Sequence, residues 1–430
     1  MLILIPMYII LPAVQLYFFL NAQYFGFGIA DALNYGASIF ALHWLLSNVI
    51  LSAKIPWLQS IIPYDARIRF HIYSTAGIAI AVLYHSIYKF ALDISMDPVT
   101  WILMGILVLM ISFALLWIPV PGFRIFRNKL VQGIKGGKEV NYDRSKNLHK
   151  LFVLIIGGVL LLHIIGAELF SDVNTFSTIL YILFYGGSFS LYILSLTGAF
   201  RIKAEILSIE ENQGILTVKL QPKRRIHYKS GQFTFLGSQV GNGIKEEHPF
   251  SFLSFPEKGE KTRKGMEPVS LAVRAMGDFT RGLTSLKNGD MIQLRGAYGN
   301  FRPGKEDNLC FVASGIGTVP IISILKELHS KGDKRKIHLF LAVNHEDEIP
   351  EKENIIKIAS SMANLDFHLM VFNKDGLRYS EELFIKALDD HGIFSYYICS
   401  SPPVRTIVVD ALKNLGVKKS KIHYETFSFA

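Results

Sequence analysis

Leu309-Cys310-Phe311-Val312-Ala313-Ser314-Gly315-Ile316-Gly317-Thr318-Val319-Pro320 fixes how the second half of this chain reads. Residues 309–313 make a short apolar strand, the glycines a tight turn, and the apolar spacing over 319–330 an amphipathic helix. Strand, glycine turn and helix in that order is the setting in which a G-x-G loop cradles a dinucleotide pyrophosphate. The loop is G-x-G-x-x-P, a departure from the common G-x-G-x-x-G fingerprint, and the same residues also suit a plain strand-to-helix turn. Downstream, strands at 337–343 and 394–399 alternate with helices at 351–363, 380–389 and 403–415. Such alternation predicts a parallel doubly wound sheet.

Upstream of residue 303 the period changes to short alternating strands, around 206–219 and 231–236, which suit an antiparallel barrel. Three further motifs carry chemistry. His248-Pro249-Phe250-Ser251 is an extended, proline-stiffened strand offering an aromatic face and a hydroxyl; an ordinary edge strand reads the same way. Gly277-Asp278-Phe279-Thr280 opens a short helix whose free N–H groups suit a phosphate, or simply a helix capped by Asp278. Cys399-Ser400-Ser401-Pro402-Pro403 ends a strand before a helix, where open sheets hold their ligands. Cys310, in mid-strand, reads as a structural core residue.

Farther upstream the composition splits. The chain has 430 residues, 50% hydrophobic and 19% charged, a net charge of +10 and two cysteines. Two cysteines exclude a disulfide-built scaffold. About one residue in ten is charged over 1–200, against about one in four over 201–430. The first part reads as membrane and the second as a water-soluble module. Six apolar stretches suit spans: 2–20, 36–53, 70–92, 100–120, 151–168 and 176–199. With the N-terminus inside, segments 54–69 and 121–150 carry all the basic residues of this part except Lys89. The positive-inside rule then places the N-terminus and the soluble module in the cytoplasm.

His71 and His85 flank the third stretch, and His149 and His163 the fifth, each pair spaced as H-x13-H. That is about 3.9 helical turns, so each pair shares a helix face, about 21 Å apart along the axis. Both stretches run outward, which levels His71 with His149 and His85 with His163. Two such levels supply axial ligands for two haem irons, and filling both axial positions suits electron transfer. Membrane histidines also serve as hydrogen-bond partners within bundles. His43 has no partner at this spacing and reads as a packing or supporting residue. Arg67 and Arg69 suit haem propionates, and equally the positive-inside pattern.

The order of these features resembles the NADPH oxidase/ferric reductase superfamily, in its single-chain prokaryotic form. The matching parts are six spans, twin H-x13-H helices, Gly231-Gln232-Phe233, the H-P-F-S and G-D-F-T motifs, G-x-G-x-x-P, a cysteine before a helix, and Glu425-Thr426-Phe427. The resemblance implies a multi-domain fold: a six-helix transmembrane haem-binding bundle (1–199) followed by a ferredoxin-reductase-like module. That module is an antiparallel FAD-binding barrel (200–303) plus an α/β NAD(P)H-binding domain (304–430). It implies that His71/His149 and His85/His163 ligate two haem b groups. His248, Pro249, Phe250 and Ser251 would hold the FAD ring, and Gly277, Asp278, Phe279 and Thr280 the FAD pyrophosphate. Gly315, Gly317, Thr318 and Pro320 would form the nicotinamide-dinucleotide loop. Cys399 would lie near the hydride-transfer centre, Ser251 against the FAD ring, Glu425 would be the cofactor-site acid of the terminal E-x-F, and the aromatic Phe429 would cover the flavin. The chain departs from relatives in Ser400-Ser401 after the cysteine, in Val319 before the loop proline, and in Asn344-His345 where many relatives place an arginine. Lys374 and Arg378 compensate as cations for a 2′-phosphate, or form a solvated turn.

The implied activity is that of an oxidoreductase of the plasma membrane, multi-pass, with its reductase domains cytoplasmic. Electrons would pass from cytoplasmic NADPH (or NADH) through FAD and two haems to an extracytoplasmic acceptor, O2 giving superoxide. The alternatives are a ferric-chelate reductase on the same path, and a haem-binding sensor or scaffold with a degenerate reductase half. Expected partners are the lipid bilayer and the small-molecule acceptor. The positive charge is accounted for by topology and an anionic dinucleotide, not by nucleic acid.

Overall fold

The computed structural model describes residues 4–22, 28–92, 98–117, 142–166, 175–237, 247–256, 267–376 and 378–425. They fall into two compact units: residues 4–54 with 65–197, and residues 55–64 with 198–425. The two parts expected for the reductase half therefore cluster as one unit, together with a short segment from between two apolar helices.

The first unit is helical. A π-helical turn at Pro6–Ile10 leads into α1 (Leu11–Ala22), followed by α2 (Ile29–Ser52), α3 (Tyr64–Ala91), α4 (Pro98–Trp117), α5 (Tyr142–Gly166) and α6 (Thr175–Thr197). The described parts of the six apolar stretches lie mainly on these helices. Among the described residues, four helices, Ile29–Ser52, Tyr64–Ala91, Lys146–Gly166 and Thr175–Thr197, are long and apolar enough to cross a membrane by length and composition. Pro6–Asn21 and Pro98–Ser112 are shorter apolar helices. Segment 121–141, on which the expected orientation largely rests, lies outside the described residues.

Apolar side chains face outward from this unit: Tyr73 is 76% exposed, Ile80 70% and Phe90 74%. An apolar exterior over polar interior contacts is the pattern that lipid favours. Within it, Asn48 of α2 takes hydrogen bonds from the hydroxyls of Tyr8 (2.5 Å) and Ser74 (2.7 Å). Gln15 of α1 donates to the Ser177 carbonyl of α6 at 3.1 Å. Gly157 of α5 lets Phe189 of α6 approach until a Cβ there would lie 2.5 Å from its ring. Small residues and interhelical hydrogen bonds do this work where burial against lipid gains nothing.

The second unit joins two sheets. The first contains β1 (Ile202–Asn212), β2 (Ile215–Pro222), β3 (Phe233–Gly237), β4 (Glu247–Ser251), β5 (Val269–Arg274) and β6 (Met291–Tyr298), all antiparallel in the order β4-β3-β6-β1-β2-β5. Its edges meet through a bridge between Phe252, just past β4, and Leu271 of β5, and through the Leu253 amide, which donates to the Ser270 carbonyl at 2.8 Å. Ala204, Ile206, Leu216, Val218, Leu220 and Leu294 fill its interior, at the period-two spacing of a half-buried strand. Pro249 sits on edge strand β4, where a missing N–H breaks the fewest ladder bonds.

The second sheet is β7 (Asn308–Ser314), β8 (Lys336–Val343), β9 (Leu365–Val371), β10 (Phe394–Cys399) and β11 (Ile422–Tyr424), all parallel in the order β11-β10-β7-β8-β9. The connecting helices are α8 (Thr318–Ser330), α9 (Lys352–Ser361), α10 (Phe372–Asp375), α11 (Glu381–Ala387) and α12 (Pro402–Asn414), with the short α7 (Asp278–Gly282) preceding β6. Leu309, Phe311 and Ala313 of β7 pack toward one core cluster and Cys310 and Val312 toward another, so this strand is covered on both faces. Strand β9 escapes the sequence reading because Asp366 and His368 interrupt its apolar run. At a sheet edge such polar residues are tolerated. Helix α8 is pinned to the first sheet's outgoing loop: Ser323 Oγ donates to the Ser254 carbonyl (2.6 Å) and Lys326 Nζ to that of Leu253 (3.2 Å).

Candidate functional site

The four expected histidine ligands lie on two helices, His71 and His85 on α3, His149 and His163 on α5. The His71 and His149 rings face each other edge to face, with centroids 6.5 Å apart. Two imidazoles each binding one metal ion through nitrogen at about 2 Å need a spacing of that order. His71 Nδ1 is buried with no hydrogen-bond partner among the described residues, an arrangement that is costly in a low-dielectric interior. Arg67, one turn earlier on α3, is fully buried and donates to the Ala53 carbonyl at 3.1 Å. His85 and His163 lie within electrostatic reach of one another. His85 Nδ1 sits 2.9 Å from Asn34 Oδ1, and His163 Nδ1 3.0 Å from Thr100 Oγ1. An acceptor amide oxygen makes His85 Nδ1 the protonated nitrogen, leaving the lone pair on Nε2 for a metal. His43 is oriented by its own bond to the Ile39 carbonyl (2.8 Å) and stacks on Phe184, apart from these pairs.

In the second unit, strand alternation separates the H-P-F-S residues onto two faces. His248 and Phe250 lie against Phe279, with ring centroids 4.5 and 6.0 Å away, which brings the β4 motif to the G-D-F-T turn. Ser251, buried, pairs in register with Phe233 on the other face. There Phe233, Phe235, Tyr298 and Tyr64 form an aromatic cluster with centroids 5.2–6.0 Å apart. The G-D-F-T turn is held by Thr280, whose hydroxyl accepts from the amides of Met276 and Gly277 at 2.9 Å each. A Cβ on Gly277 would meet nothing within 4 Å, so its backbone borders open space.

Gly299 joins the Ser251 face to the second sheet. Its φ is +93°, and a Cβ there would lie 2.7 Å from Glu425 Oε1 and 3.1 Å from the Phe233 ring. Its carbonyl accepts from Gln232 Nε2 (3.1 Å) and from Gln59 Nε2 (3.0 Å). Glu425 also acts electrostatically on Cys399, which is fully buried at the end of β10. Burial, and then the Glu425 carboxylate, push the Cys399 thiol well above its ordinary range, so it stays protonated. Gly317 abuts the same point: a Cβ on it would lie 2.1 Å from the Cys399 carbonyl oxygen. The structure thus links Ser251, through its pairing with Phe233, to Gly299 and Glu425, and links Glu425 to Cys399 and Gly317, residues far apart in sequence.

Gly315 has φ +53°, a left-handed conformation that favours glycine. Thr318 follows as the first residue of α8, fully buried, its Oγ1 without a hydrogen-bond partner among the described residues. Pro320 is buried within the first turn of α8, where a missing N–H costs nothing. Beyond β9, Arg378 is exposed, with its guanidinium carbon over Phe372, 4.5 Å from the ring centroid. Lys374 pairs with Glu346 at 3.5 Å. Phe429 lies outside the described residues, and of Asp278 only the backbone is described.

Three residues of this site were missed in the sequence. Arg274 ends β5 with NH2 2.6 Å from the buried Glu348, and its NH1 is 3.6 Å from where a Cβ of Gly315 would be. A cation shortly before a Gly-Asp turn was the available signal. Gln59 and Glu348 carried none, because their roles depend on contacts with residues far along the chain.

No protein-family model matches the chain. The chain is similar to the toluate 1,2-dioxygenase electron transfer component of Pseudomonas putida, 25% identical over 236 residues, 52% of this chain and 66% of that protein. It is also similar to respiratory burst oxidase homolog protein F of Arabidopsis thaliana, 25% identical over 374 residues. That match covers 72% of this chain and 37% of that protein, so the chain spans less than two thirds of either relative's length. Among solved structures, Amycolatopsis cytochrome P450 reductase GcoB superposes with a TM-score of 0.45 at 18% identity, over 53% of this chain and 69% of that one.

Proposed function

We propose that this chain is a multi-pass membrane oxidoreductase that carries electrons from a cytoplasmic nicotinamide dinucleotide, through FAD and two b-type haems, to an acceptor across the plasma membrane. The acceptor is O2, giving superoxide; chelated ferric iron on the same path is the second reading. The observation that carries the proposal is the His71–His149 pair, two imidazoles 6.5 Å apart on two long apolar helices of a chain that also holds a G-x-G strand–helix turn. The likeness to an electron transfer component and to an oxidase homolog supports it.

When bound, flavin and haem supply the conversion of a two-electron donor into single electrons. The chain's own residues bind and orient. His71 with His149, and His85 with His163, are the ligand pairs, and Asn34 holds the His85 ring so that Nε2 is free. Gly315, Gly317 and the α8 N-terminus present N–H groups to a pyrophosphate. Arg274 places a cation beside that turn, itself held by Glu348. Ser251, Cys399 and Glu425 border the point where donor and flavin meet. A protonated Cys399 there is a neutral packing surface and a weak donor, not a nucleophile.

The carrying test is an absorbance trace on purified, FAD-loaded protein, first anaerobic with NADH or NADPH and then aerated. The expected trace shows flavin bleaching, then reduced low-spin haem bands, then reoxidation in air with dismutase-sensitive cytochrome c reduction. Haem that stays oxidised under donor would sink the electron-path reading. Fast ferric-chelate reduction without a dismutase-sensitive signal would replace O2 by iron.

Thr318 gives a second test. Its buried hydroxyl lacks a partner among the described residues, so Thr318→Val removes an unsatisfied group, which costs about 1–3 kcal/mol when left unpaired. We expect the nucleotide-free thermal midpoint to hold or rise while nucleotide affinity falls by up to about tenfold, one hydrogen bond's worth. Unchanged affinity would remove Thr318 from the site.

A further inference from the structure

The parallel sheet has its switch point at β7, from which the chain runs to β8 and β9 on one side and to β10 and β11 on the other. A dinucleotide lies across the carboxyl ends of such strands, with its pyrophosphate at the first strand–helix turn. With Cys399 ending β10, the far nucleoside of such a ligand would fall toward the ends of β8 and β9. There the choice between a 2′-hydroxyl and a 2′-phosphate is made, a carboxylate favouring the first and a free cation the second.

The ends of β8 and β9 are fastened together. Asn373 N donates to the Asn344 carbonyl (3.3 Å), the Asn373 side chain meets His345 Nε2 (2.7 Å), and Lys374 Nζ lies 3.5 Å from Glu346 Oε1. Lys352 Nζ sits 2.7 Å from Glu346 Oε2 and 3.7 Å from Asp347 Oδ1. Glu348, buried, is bound by Arg274 and by the Asn344 amide (3.2 Å). Three consecutive carboxylates therefore follow β8. Lys352 and Lys374, which face this loop, are already paired with the first of them. A 2′-phosphate bound here, carrying close to two negative charges, would have to share these lysines with the carboxylates of Glu346 and Asp347.

We propose that Glu346 is the residue that makes this chain select NADH over NADPH, by holding Lys352 and Lys374 and placing its own charge where the 2′-phosphate would go. The inference rests on the reading of the Gly315–Gly317 turn as a nicotinamide-dinucleotide site. Arg378, stacked on Phe372, then serves as a flat surface for the adenosine rather than as the phosphate clamp.

The test is calorimetric titration of the full-length, detergent-solubilised protein with ADP-ribose and with 2′-phospho-ADP-ribose, neither of which reacts with flavin. Wild type is expected to bind ADP-ribose at least tenfold more tightly. Glu346→Gln should tighten the 2′-phosphorylated ligand about tenfold and change ADP-ribose by less than about threefold, while Glu346→Asp keeps the wild-type ratio. Equal affinities in wild type, or a ratio that Glu346→Gln leaves unmoved, overturn the selectivity and leave the site intact. Binding of neither ligand overturns the site, and the selectivity with it.

Discussion

Replacing His71 with alanine is expected to remove about half of the Soret absorbance of the purified protein, because in the proposed arrangement one of two histidine pairs would lose a ligand. His149→Ala should do the same, and the double variant should lose no more than either single one, since both belong to one pair. His85→Ala should remove the other half. Combined with His71→Ala, it should leave almost no haem. Donor-driven electron delivery across the membrane should fall by at least about a hundredfold in each single variant, the path being in series. Flavin reduction by the nucleotide should persist, because the second unit keeps its own site. Free imidazole added to His71→Ala should restore part of the absorbance, which separates a lost ligand from a lost fold. Unchanged absorbance in His71→Ala, or additive losses for His71 and His149, would break the assignment of the pair. His43→Ala makes the contrasting case. His43 is fully buried and stacked on Phe184, so its loss should lower stability by about 1–3 kcal/mol with haem content intact.

Gly317→Ala has the largest expected effect in the second unit. The added methyl would sit 2.1 Å from the Cys399 carbonyl oxygen and 2.6 Å from its carbon, both backbone atoms at the end of β10. No rotamer relieves such a contact, so the turn must move away from the strand. Overpacking of this kind costs about 1–3 kcal/mol, and it also displaces the N–H groups that would receive a pyrophosphate in the proposed site. Nucleotide-driven flavin reduction should drop at least about a hundredfold, since small misplacements of reacting groups cost that much. FAD content and reduction by dithionite should stay near wild type, because the G-D-F-T turn and β4 belong to the other sheet. If the variant folds and reduces its flavin normally with NADH, the turn is not where the donor binds.

The sequence made the apolar helices and the doubly wound sheet readable because both depend on local periodicity. The H-x13-H spacing placed each histidine pair on one face of α3 and of α5 without further help. Strand β7 with its glycine turn was equally plain, since a short apolar run, two glycines and an amphipathic helix leave little choice. Strand β9 was not, because Asp366 and His368 break the pattern that identifies a strand and are allowed only by its place at the edge. The clustering of both sheets in one unit was hidden as well. Ser323 and Lys326 bind carbonyls of a loop that precedes β5, and nothing in the sequence marks Ser254 and Leu253 as their acceptors.

What the sequence determined alone was which residue types recur at which interval: the H-x13-H histidine pairs, the glycine turns, and the split between an apolar and a charged half. Those follow from bonded geometry, with a fixed rise per helical residue and side chains alternating along a strand. Only the tertiary structure decided which functional residues share a surface. Strand alternation put Phe250 with Phe279, and Ser251 with Phe233. The close approaches at Gly299 and Gly317 then set Glu425 against Gly299 and Phe233, and Gly317 against Cys399. Glu346 likewise acquired its two lysines only when β9 came to lie beside β8. Contacts between distant segments are set by packing and electrostatics in three dimensions, and charge pairing of that kind leaves no period in the chain.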